Sequence, residues 1–321
     1  MTNKTIKAVF MGTPDFAVPC LKALTEIERV DVVGVVTQPD RPRGRGHKLT
    51  PSPVKSFATE HGIDVYQPER VKTDEFVTTL KKIAPDIIVV VAFGQILSKA
   101  ILDVPRLGCV NVHASLLPSY RGAAPMQWCI INGETKTGVT TMMMDVGLDT
   151  GDMLERDEIE ITPDMTLEEL HDALSKMGAR LLVSTVNALI DGTAKREKQD
   201  DTGVKENARY SPMLTSETGH IDWTKSAKSI HDLVRALDSW PGAYSSMDGK
   251  KYKIWRTKVS VVASDGASVA GEIVAVGKDG IDVATGDGVI TITEIQAPGK
   301  KRMSAADYLR GHAITVGSKF E

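Results

Sequence analysis

The chain has 321 residues, of which 41% are hydrophobic and 25% charged, and its formal net charge is -3. This composition excludes an intrinsically disordered protein, and the length suffices for about two domains with their own cores. No apolar stretch approaches the roughly 20 residues that span a bilayer, and the N-terminus lacks the features of a signal peptide, so we expect a cytoplasmic protein without membrane contact.

The first part of the chain alternates short β-branched runs with amphipathic stretches, which is typical of βαβ units and a mostly parallel, Rossmann-like sheet. The predicted strands are Ile6–Met11, Val30–Thr37, Ile63–Tyr66, Ile87–Ala92, Cys109–His113 and Gly138–Met144. The predicted helices are Pro14–Glu26, Pro53–Glu60, Asp74–Ile83, Ala123–Asn132 and Thr166–Ile190. Thr166 and Glu169 form a capping box at the start of the last helix. The fold class that follows is α/β.

Residues 192–211 are polar, have no apolar periodicity and are predicted to be a linker. The α/β domain then covers residues 1–191 and a second domain covers residues 212–321. In the second domain a helix, Thr224–Leu237, precedes short strands separated by Asp-Gly turns, a spacing that predicts a small β-barrel. A last short helix is predicted to begin at Ser304.

Several common binding motifs are absent from the sequence. The first βα turn, Met11–Phe16, has one glycine where a dinucleotide site needs GxGxxG, so a nicotinamide cofactor is not expected. No P-loop, HExxH or GxSxG pattern occurs. The three cysteines are too widely spaced for a disulfide framework or a metal-binding CxxC pair. The sequence therefore predicts neither a metal site nor a nicotinamide site.

The strand Cys109–His113 carries the strongest chemical signal. Residues i and i+2 share one face of a strand, so Asn111 and His113 are expected to project side by side near its carboxyl end, where open α/β sheets bind ligands. An amide and an imidazole aimed at one point can stabilise an oxyanion and move a proton, as acyl transfer requires. Asp149, in a later acidic loop, is expected to approach His113 and favour its charged form. Each signal alone is weak, because a strand-end histidine is more often structural.

In combination these segments resemble the folate-dependent formyltransferases, whose signature joins an Asn-x-His strand to a Ser-Leu-Leu-Pro loop and a downstream aspartate. The elements occur in order as Asn111, His113, Ser115–Pro118, Tyr120–Gly122 and Asp149. The resemblance extends over essentially the whole chain to the members of the family that act on methionyl-tRNA. It is carried further by Gly12–Phe16, Gln38–Gly46, Pro51–Val54, Ile221–Trp223, Ala284–Gly288 and Pro298–Lys301.

The resemblance implies transfer of the formyl group of 10-formyltetrahydrofolate to the α-amino group of methionyl initiator tRNA. Asn111 would then donate to the oxyanion, His113 would add electrostatic stabilisation, and Asp149 would help to take the amine proton through water. Folate would lie between the Ser-Leu-Leu-Pro loop and the turn after the strand Ile87–Ala92. The implied folate contacts are Gly94, Gln95, Ile96, Leu97, Ser115, Leu116, Leu117 and Pro118.

Two basic regions would bind the tRNA of a monomeric enzyme. The first, the basic loop, is Gln38–Pro53, whose prolines and glycines predict an exposed loop without regular structure. Its bases are Arg41, Arg43, Arg45 and Lys48. The second, the C-terminal basic patch, lies where the family carries an OB-like module, and alternating bases and aromatics there suit phosphate contacts on one strand face. Its members are Lys250, Lys251, Lys253, Arg256, Lys258, Lys300, Lys301 and Arg302.

The sequence leaves two alternatives open. A formyltransferase of the same family could act on a small amine, such as an amino sugar nucleotide or glycinamide ribonucleotide. Such an enzyme would not need the basic loop or the C-terminal basic patch. A catalytically inactive tRNA-binding relative is the other alternative, and it would not need intact Asn111, His113 and Asp149.

Overall fold

The computed structural model describes residues 5–43, 48–200, 202–238, 240–260 and 268–321. The strands are β1 (Ile6–Gly12), β2 (Val30–Val36), β3 (Arg41–Arg43), β4 (Lys48–Thr50), β5 (Val65–Tyr66), β6 (Ile87–Val91), β7 (Cys109–His113), β8 (Arg121–Gly122), β9 (Lys136–Met143), β10 (Met153–Glu160), β11 (Tyr210–Ser211), β12 (Ala243–Met247), β13 (Lys250–Val259), β14 (Ile273–Gly277), β15 (Gly280–Ala284), β16 (Val289–Gln296) and β17 (Met303–Ser304). The α-helices are α1 (Val18–Thr25), α2 (Pro53–Glu60), α3 (Asp74–Ile83), α4 (Lys99–Leu102), α5 (Pro125–Ile131), α6 (Leu167–Asp191), α7 (Glu206–Arg209), α8 (Ala227–Ala236) and α9 (Ala305–Gly311).

A seven-stranded sheet organises the N-terminal part of the chain, with strand order β10-β9-β7-β6-β1-β2-β5. Neighbouring strands from β5 to β7 run parallel, and β9 runs antiparallel to β7. The chain passes from β1 to β2 on one side and later returns to β6 on the other. This reversal places a topological switch point between β1 and β6, where such sheets bind ligands. The predicted α/β class is confirmed.

The strands β6 and β7 form the centre of this sheet, and every residue in both is buried. The β-branched run of β6 fits a strand that is covered on both faces. Helix α6 approaches β7 closely at Gly178, where a Cβ atom would lie 2.9 Å from Cγ1 of Val112. Glycine therefore permits the close packing that holds β7 against the helix.

Local capping signals determine several helix boundaries. The helices α2 and α3 have the predicted limits and begin after Ser52 and Thr73, whose side chains accept hydrogen bonds from backbone N–H groups in the first turn. Before α6, the Glu169 carboxylate accepts from the Thr166 N–H at 2.8 Å, and the Thr166 hydroxyl accepts from the Glu169 N–H at 3.3 Å. The predicted capping box is thus confirmed.

Two parts of the structure differ from the sequence prediction. The strand β10 was not predicted, because its polar sequence at the edge of the sheet resembles a solvated loop. The prediction that the basic loop contains no regular structure is wrong, since β3 and β4 pair there in antiparallel register with Pro42 opposite Leu49. Each strand of a two-stranded ribbon has one edge without a partner strand. Proline, which has no N–H group, is tolerated at such an edge because no inter-strand hydrogen bond is lost there.

The structure divides into two compact units that do not follow chain order. The first comprises residues 1–122, 136–159 and 171–210, and the second comprises residues 123–135, 160–170 and 211–321. Residues 192–210, most of the predicted linker, therefore belong to the first unit. Lack of apolar periodicity suggested a linker there, but Glu197 exchanges two backbone hydrogen bonds with Met153 of β10.

The second unit contains an antiparallel sheet with strand order β12-β13-β16-β15-β14, and β17 pairs with β16. Its buried core includes Trp223, whose ring stacks on Phe320 at a centroid distance of 5.6 Å. Helix α9 begins after Ser304, whose hydroxyl accepts from the N–H of Asp307 at 3.0 Å, as predicted. Among the helices of the described residues, none combines the length and the apolar character needed to cross a membrane.

Candidate active site

Three polar side chains converge at the carboxyl edge of the large sheet. Asn111 and His113, on β7, are only 8% and 6% exposed. The Nδ2 of Asn111 lies 3.4 Å from Oδ1 of Asp149, and Nδ1 of His113 lies 3.8 Å from Oδ2 of the same carboxylate. The structure therefore brings together the three residues that the sequence singled out for catalysis.

Asp149 is held in a specific orientation by its backbone and by the hydrogen bonds that its carboxylate accepts from Asn111 and Gly122. Its φ angle of 53° lies in the left-handed region, which costs on the order of 1 kcal/mol for a residue other than glycine. The backbone N–H of Gly122 donates to Oδ2 at 2.9 Å. Oδ1 faces Asn111, so the carboxylate is fixed between β7 and the loop after it.

The imidazole of His113 is fixed from both sides. The carbonyl oxygen of Tyr120 lies 3.0 Å from Nε2, and a carbonyl oxygen only accepts, so Nε2 carries a hydrogen. Tyr120 itself has a φ angle of 60°, which turns its carbonyl group toward the ring. The other ring nitrogen faces Asp149.

The Ser-Leu-Leu-Pro loop is rigidly attached to the sheet. The hydroxyl of Ser115 donates to the carbonyl oxygen of Ser119 at 2.6 Å. Thr140 of β9 donates to the carbonyl oxygen of Ser115 at 2.7 Å and accepts from the N–H of Leu117 at 3.1 Å. Leu117 is buried against Met142, so Leu116 and Pro118 supply the more accessible side chains of this loop.

The turn after β6 contains the other predicted folate contacts, and they differ in accessibility. Gly94 is exposed with a φ angle of 82°, and Ile96 is 58% exposed. Leu97 is only 3% exposed and belongs to the core. The Gln95 carboxamide accepts from the N–H of Val71 at 3.0 Å, so its oxygen is already engaged within the protein. Gly94 and Ile96 are therefore the accessible members of this group.

A cavity of about 370 Å³ opens at the carboxyl ends of β1, β2 and β6. Its lining residues are Thr13, Pro14, Gln38, Pro39, Arg41, Thr50, Ser52, Ala92, Phe93 and Gly94. The Gln38 carboxamide donates to the carbonyl oxygen of Phe93 at 3.2 Å, which joins the ends of β2 and β6. Thr13, Gln38 and Ser52 lie in segments that carry the family resemblance, but the sequence predicted no binding role for them. Their positions just beyond strand ends were a usable signal.

Comparison with known proteins shows where this architecture belongs. A family model described as formyl transferase matches residues 6–186, and a model of the formyl transferase C-terminal domain matches residues 213–313. Over 312 residues, the chain is 53% identical to the methionyl-tRNA formyltransferase of Geobacter metallireducens, with 97% of each chain covered. The chain belongs to the methionyl-tRNA formyltransferase family.

A second relative agrees with this family assignment, and a solved structure shares the fold. The methionyl-tRNA formyltransferase of Clostridioides difficile is 50% identical over 97% of this chain and 99% of its own length. The solved N-formyltransferase of Helicobacter canadensis, in complex with folinic acid and dTDP-3-aminofucose, matches 91% of this chain and 100% of its own with a TM-score of 0.64. At 19% identity, that second likeness shows the fold alone.

Part of the basic loop lies beside the cavity, within the residues that the structure describes. Arg41 is exposed and lines it. The preceding Asp40 accepts from Nζ of Lys55 and from Nε2 of Gln67, both at 2.7 Å, and these bonds hold the pKa of Asp40 below its ordinary value. The loop is thus anchored at its base. Arg45 lies outside the described residues, as do the side chains of Arg43 and Lys48.

Two members of the C-terminal basic patch already have acidic partners. Arg302 contacts Glu294 at 2.6 Å and Asp238 at 2.9 Å. Arg256 approaches Glu294 at 3.7 Å. Their charges are largely compensated within the protein, so they are weaker candidates for phosphate contacts than the sequence suggested.

The lysines of the C-terminal basic patch fall into two groups. Lys251 lies over the ring of Tyr244, 3.2 Å from its centroid, and Lys253 donates to the carbonyl oxygen of Pro241 at 3.2 Å. The remaining ammonium groups show no contact within the part of the chain that the structure describes. They belong to Lys250, Lys258, Lys300 and Lys301, which are all exposed.

A thiol lies two positions before Asn111 but is unsuited to catalysis. Burial raises the pKa of Cys109 to about 12, so the group stays protonated and a poor nucleophile near neutral pH. Across residues 5–43, 48–200, 202–238, 240–260 and 268–321, no three His, Cys, Asp or Glu side chains cluster in a way that could hold a metal ion.

Proposed function

We propose that the protein transfers the formyl group of 10-formyltetrahydrofolate to the α-amino group of methionyl initiator tRNA. One observation carries the proposal: Asn111, His113 and Asp149 converge in a chain that is 53% identical to a methionyl-tRNA formyltransferase. A folate donor is supported by the family and by the folinic acid in the Helicobacter canadensis neighbour.

The reaction has two electrostatic requirements. The free amine attacks the formyl carbon and forms a new C–N bond, while the carbonyl oxygen becomes an oxyanion. Collapse of that intermediate breaks the bond to N10 of the folate, which gains a proton, and the amine loses one. The site must therefore stabilise an oxyanion and accept a proton.

Asn111 supplies a donor for the oxyanion. Its Nδ2 carries two hydrogens, and only one is directed to Asp149 in a long contact of 3.4 Å. The second hydrogen is available to the reacting oxygen. Because the side chain is buried and fixed on β7, the donor needs no reorganisation as charge develops.

His113 adds electrostatic stabilisation next to the same oxygen. Its Nε2 donates to the carbonyl oxygen of Tyr120, and its Nδ1 lies 3.8 Å from the Asp149 carboxylate. Asp149 orients the imidazole and accepts the amine proton through water. The N–H of Gly122 binds Oδ2 of Asp149, so Oδ1 points toward the reacting centre.

Folate binds between the two loops that border these residues. The pterin edge pairs with backbone groups of the Ser-Leu-Leu-Pro loop and of Gly94, while Leu116 and Ile96 supply apolar walls. Leu97, Leu117 and the Gln95 side chain support the cleft from within the protein, as their burial and contacts suggest.

The tRNA acceptor end enters from the side of the basic loop. The cavity that Arg41 lines lies at the sheet's switch point, one strand away from β7. A small amine does not require this basic loop or the exposed lysines of the C-terminal basic patch. The small-amine alternative is therefore not favoured.

Incubation with 10-formyltetrahydrofolate and methionyl initiator tRNA tests the proposal. We expect formylmethionine after hydrolysis of the ester bond, and at least about 100-fold slower formation of it with the variant Asn111→Ala. An amino sugar nucleotide and glycinamide ribonucleotide serve as competing acceptors. Formylation of either small amine without formylation of methionyl-tRNA would overturn the proposal.

We also expect that formyl transfer requires no protein-bound metal, as the lack of ligand patterns in the sequence predicts. Dialysis against a chelator, followed by return of the Mg²⁺ that the tRNA needs for its own fold, should leave kcat unchanged. The measurement is the initial rate before and after dialysis. A loss that only zinc reverses would contradict the prediction.

A further inference from the structure

The segment that follows helix α6 lies across the loops that carry the catalytic groups. Glu197 pairs with Met153 through two backbone hydrogen bonds of 2.8 and 2.9 Å. Further along, the carbonyl oxygen of Ala208 accepts from the N–H of Tyr120. Residues 197–200 and 202–208, which we call the strap, therefore contact the chain near both His113 and Asp149.

One side chain of the strap makes three hydrogen bonds to these loops. The Nε2 of Gln199 donates to the carbonyl oxygens of Asp149 and Gly151, both at 2.8 Å. Its Oε1 accepts from Nε of Arg121 at 2.9 Å. The strap residues around it, Lys198 and Asp200, are exposed, whereas Gln199 is half-buried. All the hydrogen-bonding capacity of the Gln199 carboxamide nitrogen is used on the Asp149 loop.

The bonds from Gln199 fall on a strained part of the backbone. Asp149 has a φ angle of 53°, a conformation that persists only where its surroundings enforce it. The two N–H groups of the Gln199 carboxamide, which donate to the carbonyl oxygens of Asp149 and Gly151, hold the backbone in this conformation. Through Arg121, the same side chain also holds β8, where the N–H of Gly122 binds the Asp149 carboxylate.

We propose that Gln199 is a positioning residue that holds Asp149 in its catalytic orientation, an inference that rests on the proposed function. Neither a carboxylate nor a shorter amide can replace it. Glutamate would keep the acceptor for Arg121 but lose both donors, and asparagine would not reach all three partners. Gln199 acts through Asp149 and does not contact the reacting atoms.

The variants Gln199→Ala and Gln199→Glu test this role. We expect both to lower kcat by about 30- to 100-fold, as a displacement near 1 Å of a catalytic group does. KM for tRNA and folate should stay within about threefold, because the Gln199 carboxamide is engaged by Arg121, Asp149 and Gly151 of the protein itself. The matched control is Glu197→Gln, which removes only the exposed ion pair with Arg156 and should change kcat by less than about twofold.

A double-mutant cycle separates positioning from a general structural effect. If Gln199 acts through Asp149, then Gln199→Ala should lower kcat no further, within about twofold, in an Asp149→Ala background. Additive losses would overturn the proposal. So would a near-normal kcat for Gln199→Glu, since that variant keeps the contact to Arg121.

Hydrogen exchange provides a readout that needs no substrate. The backbone amides of residues 145–151 should exchange faster in Gln199→Ala than in the wild type or in Glu197→Gln. Unchanged exchange would contradict the proposal. If the wild type fails to formylate methionyl-tRNA, the proposed function is wrong, and the exchange experiment still decides whether Gln199 holds the loop.

Discussion

Alanine at Asn111, His113 or Asp149 is expected to lower kcat for formyl transfer by at least about 100-fold, while the protein stays folded. Under the proposed function each of the three groups faces charge that develops in the transition state, and interactions of this kind are worth several kcal/mol there and little in the ground state. KM should therefore change far less than kcat.

Single-turnover kinetics with 10-formyltetrahydrofolate and methionyl-tRNA measure this effect, and circular dichroism checks the fold. The matched control is His61→Ala, since His61 stacks on Phe57 at the end of α2 and contacts none of the three residues. Near-normal turnover of the His113→Ala variant would show that the catalytic assignment is wrong.

Neutralising the basic loop is expected to have the second largest effect. Replacing Arg41, Arg43, Arg45 and Lys48 by alanine should raise KM for tRNA by at least about tenfold and also lower kcat. Arg41, in the described part of the loop, lines the cavity at the switch point. Under the proposed function, neutralising the loop is therefore expected to remove phosphate contacts and to misplace the aminoacyl amine.

The C-terminal basic patch should behave differently, because it lies in another compact unit. Replacing Lys250, Lys258, Lys300 and Lys301 by alanine should raise KM for tRNA and leave kcat nearly constant. The dependence of log KM on log salt concentration, the salt slope, should fall by about one unit for each phosphate contact that is lost. The control is the variant Arg256→Ala. The Arg256 guanidinium is already compensated by Glu294, so its removal should change the salt slope little. Steady-state kinetics between about 50 and 200 mM salt measure these changes. If neither multiple variant alters KM, kcat or the salt slope, tRNA is not the substrate.

Local patterns in the sequence determined the class of the fold and the core of the candidate site. The β-branched run of β6 specifies a buried parallel strand, and the capping residues Ser52 and Thr73 set the starts of α2 and α3. The two-residue period of a strand placed Asn111 and His113 on one face. These features depend on neighbours within a few positions, so the sequence reveals them without knowledge of packing.

Only the tertiary structure decided how the site is supported. The hydrogen bonds of Gln199 connect two loops that lie about 50 positions apart in the sequence. Leu97 is buried in the core, and Arg302 pairs with Glu294 and Asp238. No local period or cap encodes such contacts. They depend on which loops the packed sheet brings within hydrogen-bonding distance. For this reason the polar segment after α6, which the sequence predicted to be a linker, lies across the loops of the candidate site.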